Sequence, residues 1–131
     1  MKADELFQAA RAAMSKAYAP YSRFPVGAAL ATDSGAVHAG CNIENASYPE
    51  GWCAETTALG HMVMAGGGRI AEIAVVAEKM DRIMPCGGCR QRLSEFVADD
   101  ALLHLCDARG VVETVSFSAM FPRSFDLEQN R

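Results

Sequence analysis

The first third of the chain changes from a helical spacing of apolar residues to strand-like runs. Apolar side chains recur at helical spacing over residues 4–18, and Pro20 is expected to stop this helix. Two apolar runs, 26–31 and 36–43, then flank the turn-forming segment 33–35. The pattern predicts a helix followed by a β-hairpin.

The rest of the chain alternates between helical and strand-like patterns. A helix is predicted from Cys53 to the glycines at 66–68, and another follows Pro85 with an apolar stripe that includes Phe96 and Val97. Three further runs predict strands, the last two around the turn at 107–110; they are 73–77, 102–106 and 111–115. The element order is therefore α-β-β-α-β-α-β-β.

This order predicts an α/β fold. Five strands interleaved with helices imply one mixed five-stranded sheet with helices on its faces, which is a three-layer α/β/α sandwich. The chain shows no internal repeat, low-complexity segment or composition shift that would mark a boundary. We expect residues 1–131 to form a single domain.

Composition and charge narrow the classes of partner and location. Half of the 131 residues are hydrophobic, which is enough for a core without disulfide bonds. No run approaches the roughly 18 apolar residues of a membrane helix, so no membrane partner is expected. The acidic start lacks the apolar segment of a secretory signal, which favours the cytoplasm. A net charge of −4 favours a small, nearly neutral substrate over nucleic acid.

The cysteines point to a metal rather than to disulfide bonds. Their number, five, is odd, and no secretory signal precedes them. Cys41 and Cys106 lie in apolar strand-like runs, where cysteine commonly acts as a small hydrophobic residue. The other three, Cys53, Cys86 and Cys89, lie at predicted helix starts and are the candidate ligands.

The spacing of these three residues is typical of a catalytic zinc site. Alone, the pair Cys86 and Cys89 after Pro85 fits a redox dithiol as well as a zinc site. Cys53 adds a third thiolate, and three protein ligands leave the fourth zinc position open for water. Helix N-termini favour thiolate over thiol, by about 0.3–1 kcal/mol for each charge. We therefore expect one zinc ion on each subunit.

Glu55, two residues after Cys53, is the candidate catalytic base. Zinc lowers the pKa of bound water to near 7 in favourable cases, and a nearby carboxylate then accepts the proton. Taken alone, Glu55 is equally well explained as a first-turn glutamate that interacts with the helix dipole. Its place beside three candidate ligands favours the catalytic interpretation.

At this point the residues resemble the zinc-dependent cytidine deaminases of the small, homotetrameric, three-cysteine type. Zinc deaminases carry a ligand-x-Glu motif and a Pro-Cys-x-x-Cys motif; the chain has Cys53-Ala54-Glu55 and Pro85-Cys86-Gly87-Gly88-Cys89. The resemblance runs from about Tyr18 to Phe125 and includes the segments 19–24, 26–29 and 40–46.

The resemblance implies a reaction. Free cytidine and 2'-deoxycytidine would be hydrolysed to uridine and 2'-deoxyuridine with release of ammonia, as in pyrimidine salvage. Zinc-bound hydroxide would attack C4 of the base, with Glu55 as the proton shuttle. It also implies a cytidine deaminase-like fold and a homotetramer whose active sites are completed by neighbouring subunits.

The resemblance also implies roles for residues that bind the substrate. Asn42 and Glu44 match the pair that hydrogen-bonds the ribose hydroxyls, and taken alone each is equally well explained as a polar strand end. Phe24 matches an aromatic residue of the pyrimidine pocket rather than ordinary core. The remaining matches are Ala54, whose backbone N–H would hold the pyrimidine carbonyl, Ala46 and Tyr48, which would reach a neighbour's sugar, and Phe125, which would close a neighbour's site.

One position departs from the family pattern. The residue after the catalytic glutamate is usually an arginine that pairs with the thiolates, and here it is Thr56. Three thiolates on Zn²⁺ carry a net charge of −1, which weakens the acidification of bound water unless cations or dipoles compensate. We expect the helix ends, the Thr56 hydroxyl and Arg90 to share this task, and the alternative is that Thr56 only packs.

Three other functions stay open from the residues alone. The first is a deaminase of another base or aminated nucleoside. The second is a tRNA- or DNA-editing deaminase, which the acidic charge disfavours. The third is a structural zinc module without catalysis, for which His61 is the obvious fourth ligand. His61 lies eight residues along the helix from Cys53, roughly 12 Å at helical rise, which disfavours that module.

Overall fold

The computed structural model describes residues 2–127. A mixed five-stranded sheet in the order β2-β1-β3-β4-β5 forms its middle layer, with β3 and β4 parallel and the other pairs antiparallel. The strands are β1 (Val26–Thr32), β2 (Val37–Cys41), β3 (Ile70–Ala77), β4 (Val97–Cys106) and β5 (Val111–Ser116). The helices are α1 (Lys2–Met14), α2 (Ala54–Met64), α3 (Gly87–Ser94) and α4 (Phe117–Met120).

Helix α1 covers one face of the sheet. Leu6, Phe7 and Ala10 pack against alternate residues of β1 and β3, such as Ala29 and Ala74. The side chains of β1 on this face are small, so the helix lies close to the strand. The alternation of inward positions in β1 sends the neighbouring residues to the opposite face, as the period of a strand requires.

Helices α2, α3 and α4 cover the other face. Ala58 and Met62 of α2, Leu93 of α3 and Phe117 of α4 join one buried cluster with Leu30 and other residues of the central strands. The predicted three-layer α/β/α sandwich with one mixed five-stranded sheet is therefore confirmed. The predicted element order is also correct, with α4 added at its end.

Two predicted helix ends are wrong. The first helix was expected to run to residue 18, but it ends at Met14. Tyr18 instead joins the sheet region, since its N–H donates to the Asn42 carbonyl at 3.0 Å. The apolar stripe of α3 was expected to include Phe96 and Val97, but Val97 begins β4 and pairs with Ile70. Long-range strand pairing outweighs local helical spacing in both cases.

A buried histidine, His104, connects three strands on the face of the sheet that α1 covers. The ring of His104, which is 3% exposed, contacts Glu72 Oε1 at 2.6 Å through Nε2 and Thr114 Oγ1 at 2.8 Å through Nδ1. These contacts tie β3, β4 and β5 together on one face. Both ring nitrogens are satisfied, as burial requires.

Over residues 2–127, none of the helices is both long and apolar enough to cross a membrane.

Gly40 allows α2 to pack closely against the backbone of β2. A Cβ at this position would lie 2.4 Å from Ala58 N and 2.8 Å from Ala54 O, both of them backbone atoms of α2. Backbone atoms cannot rotate away as a side chain can. The start of α2 therefore rests directly on the β2 backbone.

We predict opposite effects of alanine at two glycines. Gly40→Ala should lower the free energy of unfolding by roughly 1–3 kcal/mol, because the added methyl group displaces α2. Gly60→Ala, within α2 where a Cβ would meet nothing within 4 Å, should raise it by about 0.5–1 kcal/mol. Chemical denaturation at equal protein concentration and metal content measures both. A Gly40→Ala protein as stable as the wild type would contradict the contact.

Candidate active site

Helices α2 and α3 begin beside each other, and each has a cysteine as its N-cap residue. Cys53 precedes α2 and Cys86 precedes α3, both in extended backbone, and neither side chain caps its helix by a hydrogen bond. Their thiol groups therefore do not serve the N–H groups of their own helices. Cys89 follows in the first turn of α3. Both helix N-termini favour negative charge at this place.

The three sulfur atoms lie within 4.8 Å of one another. The Sγ atoms of Cys53 and Cys86 are 3.7 Å apart. Ligand sulfurs at about 2.3 Å from a tetrahedral zinc ion are separated by about 3.8 Å, so this pair already has the spacing of a zinc site. Cys89 is buried, Cys53 is half-buried and Cys86 is exposed, which leaves access from one side. The donor set and its spacing fit zinc.

His61 is not part of this cluster. Its Nδ1 contacts the Ala39 carbonyl at 2.8 Å, and within residues 2–127 the group that could hold a metal consists of the three cysteines. The fourth protein ligand that would close the site is therefore absent from the described residues. Three protein ligands without a fourth are the arrangement of a catalytic zinc site.

Glu55 lies in the first turn of α2 with 4% of its surface exposed. Burial raises the pKa of its carboxyl group, because the charged form loses hydration. The side chain lines the same cavity as Cys53 and Cys86. A buried carboxyl group at this place suits proton transfer better than interaction with solvent at an exposed helix end.

The surroundings of Cys89 disfavour its thiolate form. Contact with Cys53, burial and the Glu55 charge all raise the pKa of the Cys89 thiol, whereas the Thr56 hydroxyl lowers it. A divalent cation reverses this balance, since it deprotonates the thiols that bind it. Binding of a divalent cation would therefore stabilise the thiolate forms of these cysteines.

The expectation that Arg90 would supply this charge is wrong. Its Nε donates to the Pro85 carbonyl at 2.8 Å and its Nη1 to the Met120 carbonyl at 3.3 Å, so its guanidinium group joins the loop before α3 to α4. Arg92 is directed to the cluster instead, with Nη1 3.2 Å from Thr56 Oγ1. Arg92 follows Cys89 by three residues, and this helical spacing was the signal that the sequence offered.

A cavity of about 530 Å³ opens beside the cluster. Of the residues expected at the site, those that line it are Asn42, Glu44, Tyr48, Cys53, Ala54, Glu55 and Cys86. Lining residues that the sequence interpretation missed include Val26, Trp52, Ile83 and Met84. The place of Ile83 and Met84 just before Pro85 was a usable signal for them, whereas Val26 resembled ordinary strand core.

Asn42 and Glu44 line this cavity and are held by hydrogen bonds. The Asn42 side chain accepts from Val26 N at 3.0 Å and donates to the Phe24 carbonyl at 2.9 Å, which fixes its amide orientation. The Glu44 carboxylate accepts from the Ser22 hydroxyl and from the backbone N–H groups of Tyr21 and Ser22. These hydrogen bonds, that of the Ser22 hydroxyl above all, hold the pKa of Glu44 below its ordinary value.

Three expected substrate-binding residues do not line the cavity of this single chain: Phe24, Ala46 and Phe125. Phe24 instead receives the Asn42 amide on its backbone carbonyl. Phe125 is 66% exposed, and its backbone is held by two hydrogen bonds with the Gln91 side chain. Tyr48, which lines the cavity, is 74% exposed and lies 6.1 Å from Tyr21 between ring centroids.

A three-thiol cluster open to a cavity, with a buried carboxyl group beside it on an α/β/α sandwich, defines a zinc-dependent hydrolase. Residues 1–105 match the family described as the cytidine and deoxycytidylate deaminase zinc-binding region. The chain belongs to this family.

Relatives over nearly the whole chain support the assignment. A cytidine deaminase of Halalkalibacterium halodurans is 42% identical over 123 residues, which are 94% of this chain and 93% of that protein. One from Sporosarcina psychrophila is 38% identical over 128 residues, with coverage of 98% and 94%. The crystal structure of cytidine deaminase from Burkholderia pseudomallei superposes with a TM-score of 0.88 at 46% identity, covering 95% of this chain and 100% of that one.

Proposed function

We propose that the chain hydrolyses free cytidine and 2'-deoxycytidine to uridine and 2'-deoxyuridine with release of ammonia. One observation carries the proposal, which is that the buried Glu55 carboxyl group and two thiols of the three-thiol cluster, those of Cys53 and Cys86, line the same cavity as Asn42 and Glu44. Relatives of 38% and 42% identity over more than nine tenths of the chain are named cytidine deaminases.

The chemistry follows from the groups at one end of the cavity. Cys53, Cys86 and Cys89 would hold the zinc ion, which when bound would supply a Lewis acid that makes water easier to deprotonate at neutral pH. Glu55 takes a proton from the attacking water and delivers it to N3 of the cytosine ring. The oxygen of that water forms a bond to C4; the Glu55 carboxylate then takes the remaining proton of the new C4 hydroxyl group and passes it to the amino group. The C4–N bond breaks, ammonia leaves and the C4 carbonyl of the uracil ring forms. Burial keeps solvent from competing for these protons.

The first turn of α2 offers a group for the base, and the residues that follow β2 offer groups for the sugar. The backbone N–H of Ala54 has no acceptor within its own helix, since it belongs to the first turn, and is available for the pyrimidine carbonyl. The Asn42 amide keeps one N–H free after its two internal hydrogen bonds, and the Glu44 carboxylate keeps unused lone pairs. These groups suit the ribose hydroxyls.

The charge of the cavity favours a nucleoside over a nucleotide. Among the described residues, those that line the cavity include the acids Glu44 and Glu55 and no lysine, arginine or histidine. A 5'-phosphate would therefore find no cationic side chain in the described cavity lining and would meet negative charge there. Cytidine fits this wall better than deoxycytidylate.

Other features predicted from the sequence stay part of this proposal. The chain forms a single domain, acts in the cytoplasm and assembles into a homotetramer. The exposed aromatic side chains of Tyr48 and Phe125 support the assembly. In a tetramer, Ala46, Tyr48 and Phe125 would be available to the active sites of neighbouring subunits. The five free cysteines suit a reducing compartment.

The role of Glu55 is tested by an isosteric variant. Glu55→Gln should keep its zinc and lower kcat for cytidine by roughly 10²- to 10⁴-fold, because an amide cannot carry the proton. The loss of cytidine absorbance and the release of ammonia measure the reaction, and elemental analysis measures the zinc. Glu50→Gln, an exposed glutamate near the same loop, is the control with unchanged rates. Wild-type kcat in Glu55→Gln would overturn the mechanism. If the wild-type protein did not turn over cytidine, the remaining functions would be a structural zinc module or a deaminase of another aminated substrate.

The hydrogen bond from Ser22 gives a second test, which concerns the sugar. Ser22→Ala frees the Glu44 carboxylate, so KM for cytidine should rise roughly 3- to 10-fold with kcat nearly unchanged. The same change should move the pKa of Glu44 up towards its ordinary value. A depressed pKa keeps the carboxylate charged as pH falls, so the low-pH rise in KM should begin at a higher pH in Ser22→Ala. The control is Ser15→Ala at the end of α1, and equal KM profiles for the two variants would contradict the role.

A further inference from the structure

The charge at the metal cluster is not balanced by the groups that line the cavity. Three thiolates around a divalent ion carry a net charge of −1, and Glu55 adds a carboxyl group beside them. Since the described cavity lining has no basic side chain, the compensating charge must act from another side. Arg92 stands on that side, on the surface of α3.

The Arg92 guanidinium group lies against the turn that carries two of the ligands. Its Nη1 is 4.0 Å from the Sγ atom of Cys89, the buried member of the cluster. A Cβ at Gly88 would meet three atoms first, and all are guanidinium atoms of Arg92, the nearest at 3.4 Å. The guanidinium group therefore lies over the ligand turn, next to the backbone of Gly88.

Thr56 connects this cation to the thiolate. Arg92 Nη1 donates to Thr56 Oγ1 at 3.2 Å, and the same oxygen lies 3.6 Å from Cys89 Sγ. A hydroxyl group that accepts from a guanidinium group must turn its own hydrogen elsewhere, and the sulfur is the acceptor within reach. Accepting from a cation also strengthens the hydroxyl group as a donor. The chain Arg92 to Thr56 to Cys89 thus carries positive charge from α3 to the deepest ligand.

We propose that Arg92 is a positioning residue of the zinc centre, which retains the metal by stabilising the Cys89 thiolate both directly and through the Thr56 hydroxyl. This rests on the zinc site of the proposed function but not on the identity of the substrate. The two neighbouring arginines differ in role, because Arg90 is engaged by the Pro85 and Met120 carbonyls.

The test is the rate of zinc release from the loaded protein to a chromogenic chelator. Arg92→Gln keeps N–H donors and removes the charge, so release should be roughly 10- to 100-fold faster. Arg92→Lys should fall between Arg92→Gln and the wild type, since it keeps the charge without the planar fork. Arg11→Gln, on α1 across the sheet, makes the same change in net charge and should release zinc at the wild-type rate.

Two further variants test the route of the effect. Thr56→Val should accelerate release, and its effect should not add to that of Arg92→Gln if both remove one connection. Thr56→Arg in the Arg92→Gln background should slow release again, because the new cation starts beside Cys89. In cobalt-substituted protein, Arg92→Gln should move the thiolate-to-metal charge-transfer band to lower energy, as a sulfur without its cation gives up electrons more easily.

Equal release rates for Arg92→Gln and Arg11→Gln would overturn the proposal, and so would an unmoved cobalt band. Fully additive effects of Thr56→Val and Arg92→Gln would refute the route through the hydroxyl group. A wild-type protein that binds no zinc would instead refute the proposed function. Failure of this inference is thus distinguishable from failure of the proposed function, because zinc-loaded wild type can deaminate cytidine whatever the release rates of the Arg92 variants.

Discussion

Three thiol groups held within 4.8 Å of one another cannot all lose their protons unless positive charge lies between and around them. Much of the local architecture supplies that charge. The ends of α2 and α3 direct unpaired N–H groups and helix dipoles to the cluster, and Arg92 lies across the ligand turn. The metal completes the balance. Contact with Cys53, burial and the Glu55 charge raise the pKa of the Cys89 thiol, and a bound cation would favour its thiolate instead.

The sandwich determines where these groups meet. Gly40 lets the start of α2 rest on β2, so Cys53 stands next to the end of that strand. A short antiparallel bridge between Ile43 and Trp52 then turns the loop back on itself. The residues that follow β2 and those that precede α2 therefore face one cavity. Groups suited to the sugar and groups suited to the base come from the two ends of one loop.

Much of the fold was predictable because its signals are local. Strand and helix order follows from apolar spacing, and the ligands follow from the Cys-x-Glu and Pro-Cys-x-x-Cys patterns. Element ends were less predictable, since Val97 pairs with a strand that is distant in sequence. The prediction that Arg90, and not Arg92, would compensate the thiolate charge was wrong for the same reason, since it depended on contacts with residues distant in sequence. Both arginines lie on α3, and which of them contacts the cluster depends on the Pro85 and Met120 carbonyls that engage Arg90.

Some of the residues around the cavity were predictable from the sequence and others were not. Asn42 and Glu44 were predictable from motif resemblance and line the cavity. Val26 was not, because half-buried cavity walls and ordinary core use the same apolar side chains. Phe24 is the opposite case, because motif resemblance predicted it in the pocket and it does not line the cavity. Its backbone carbonyl contacts the Asn42 amide instead. Sequence patterns identify chemistry better than they identify which face of a loop a side chain occupies.

A zinc-dependent reaction at the three-cysteine cluster is the central feature of this protein's proposed activity. The direct measurement is the deamination of cytidine, followed by ultraviolet absorbance, with protein that is zinc-loaded, stripped by a chelator and then reloaded. We predict turnover by the loaded protein, loss of turnover on stripping and recovery when zinc is returned, with circular dichroism showing that the stripped protein stays folded. Undiminished deamination by protein that elemental analysis shows to be free of metal would contradict the account.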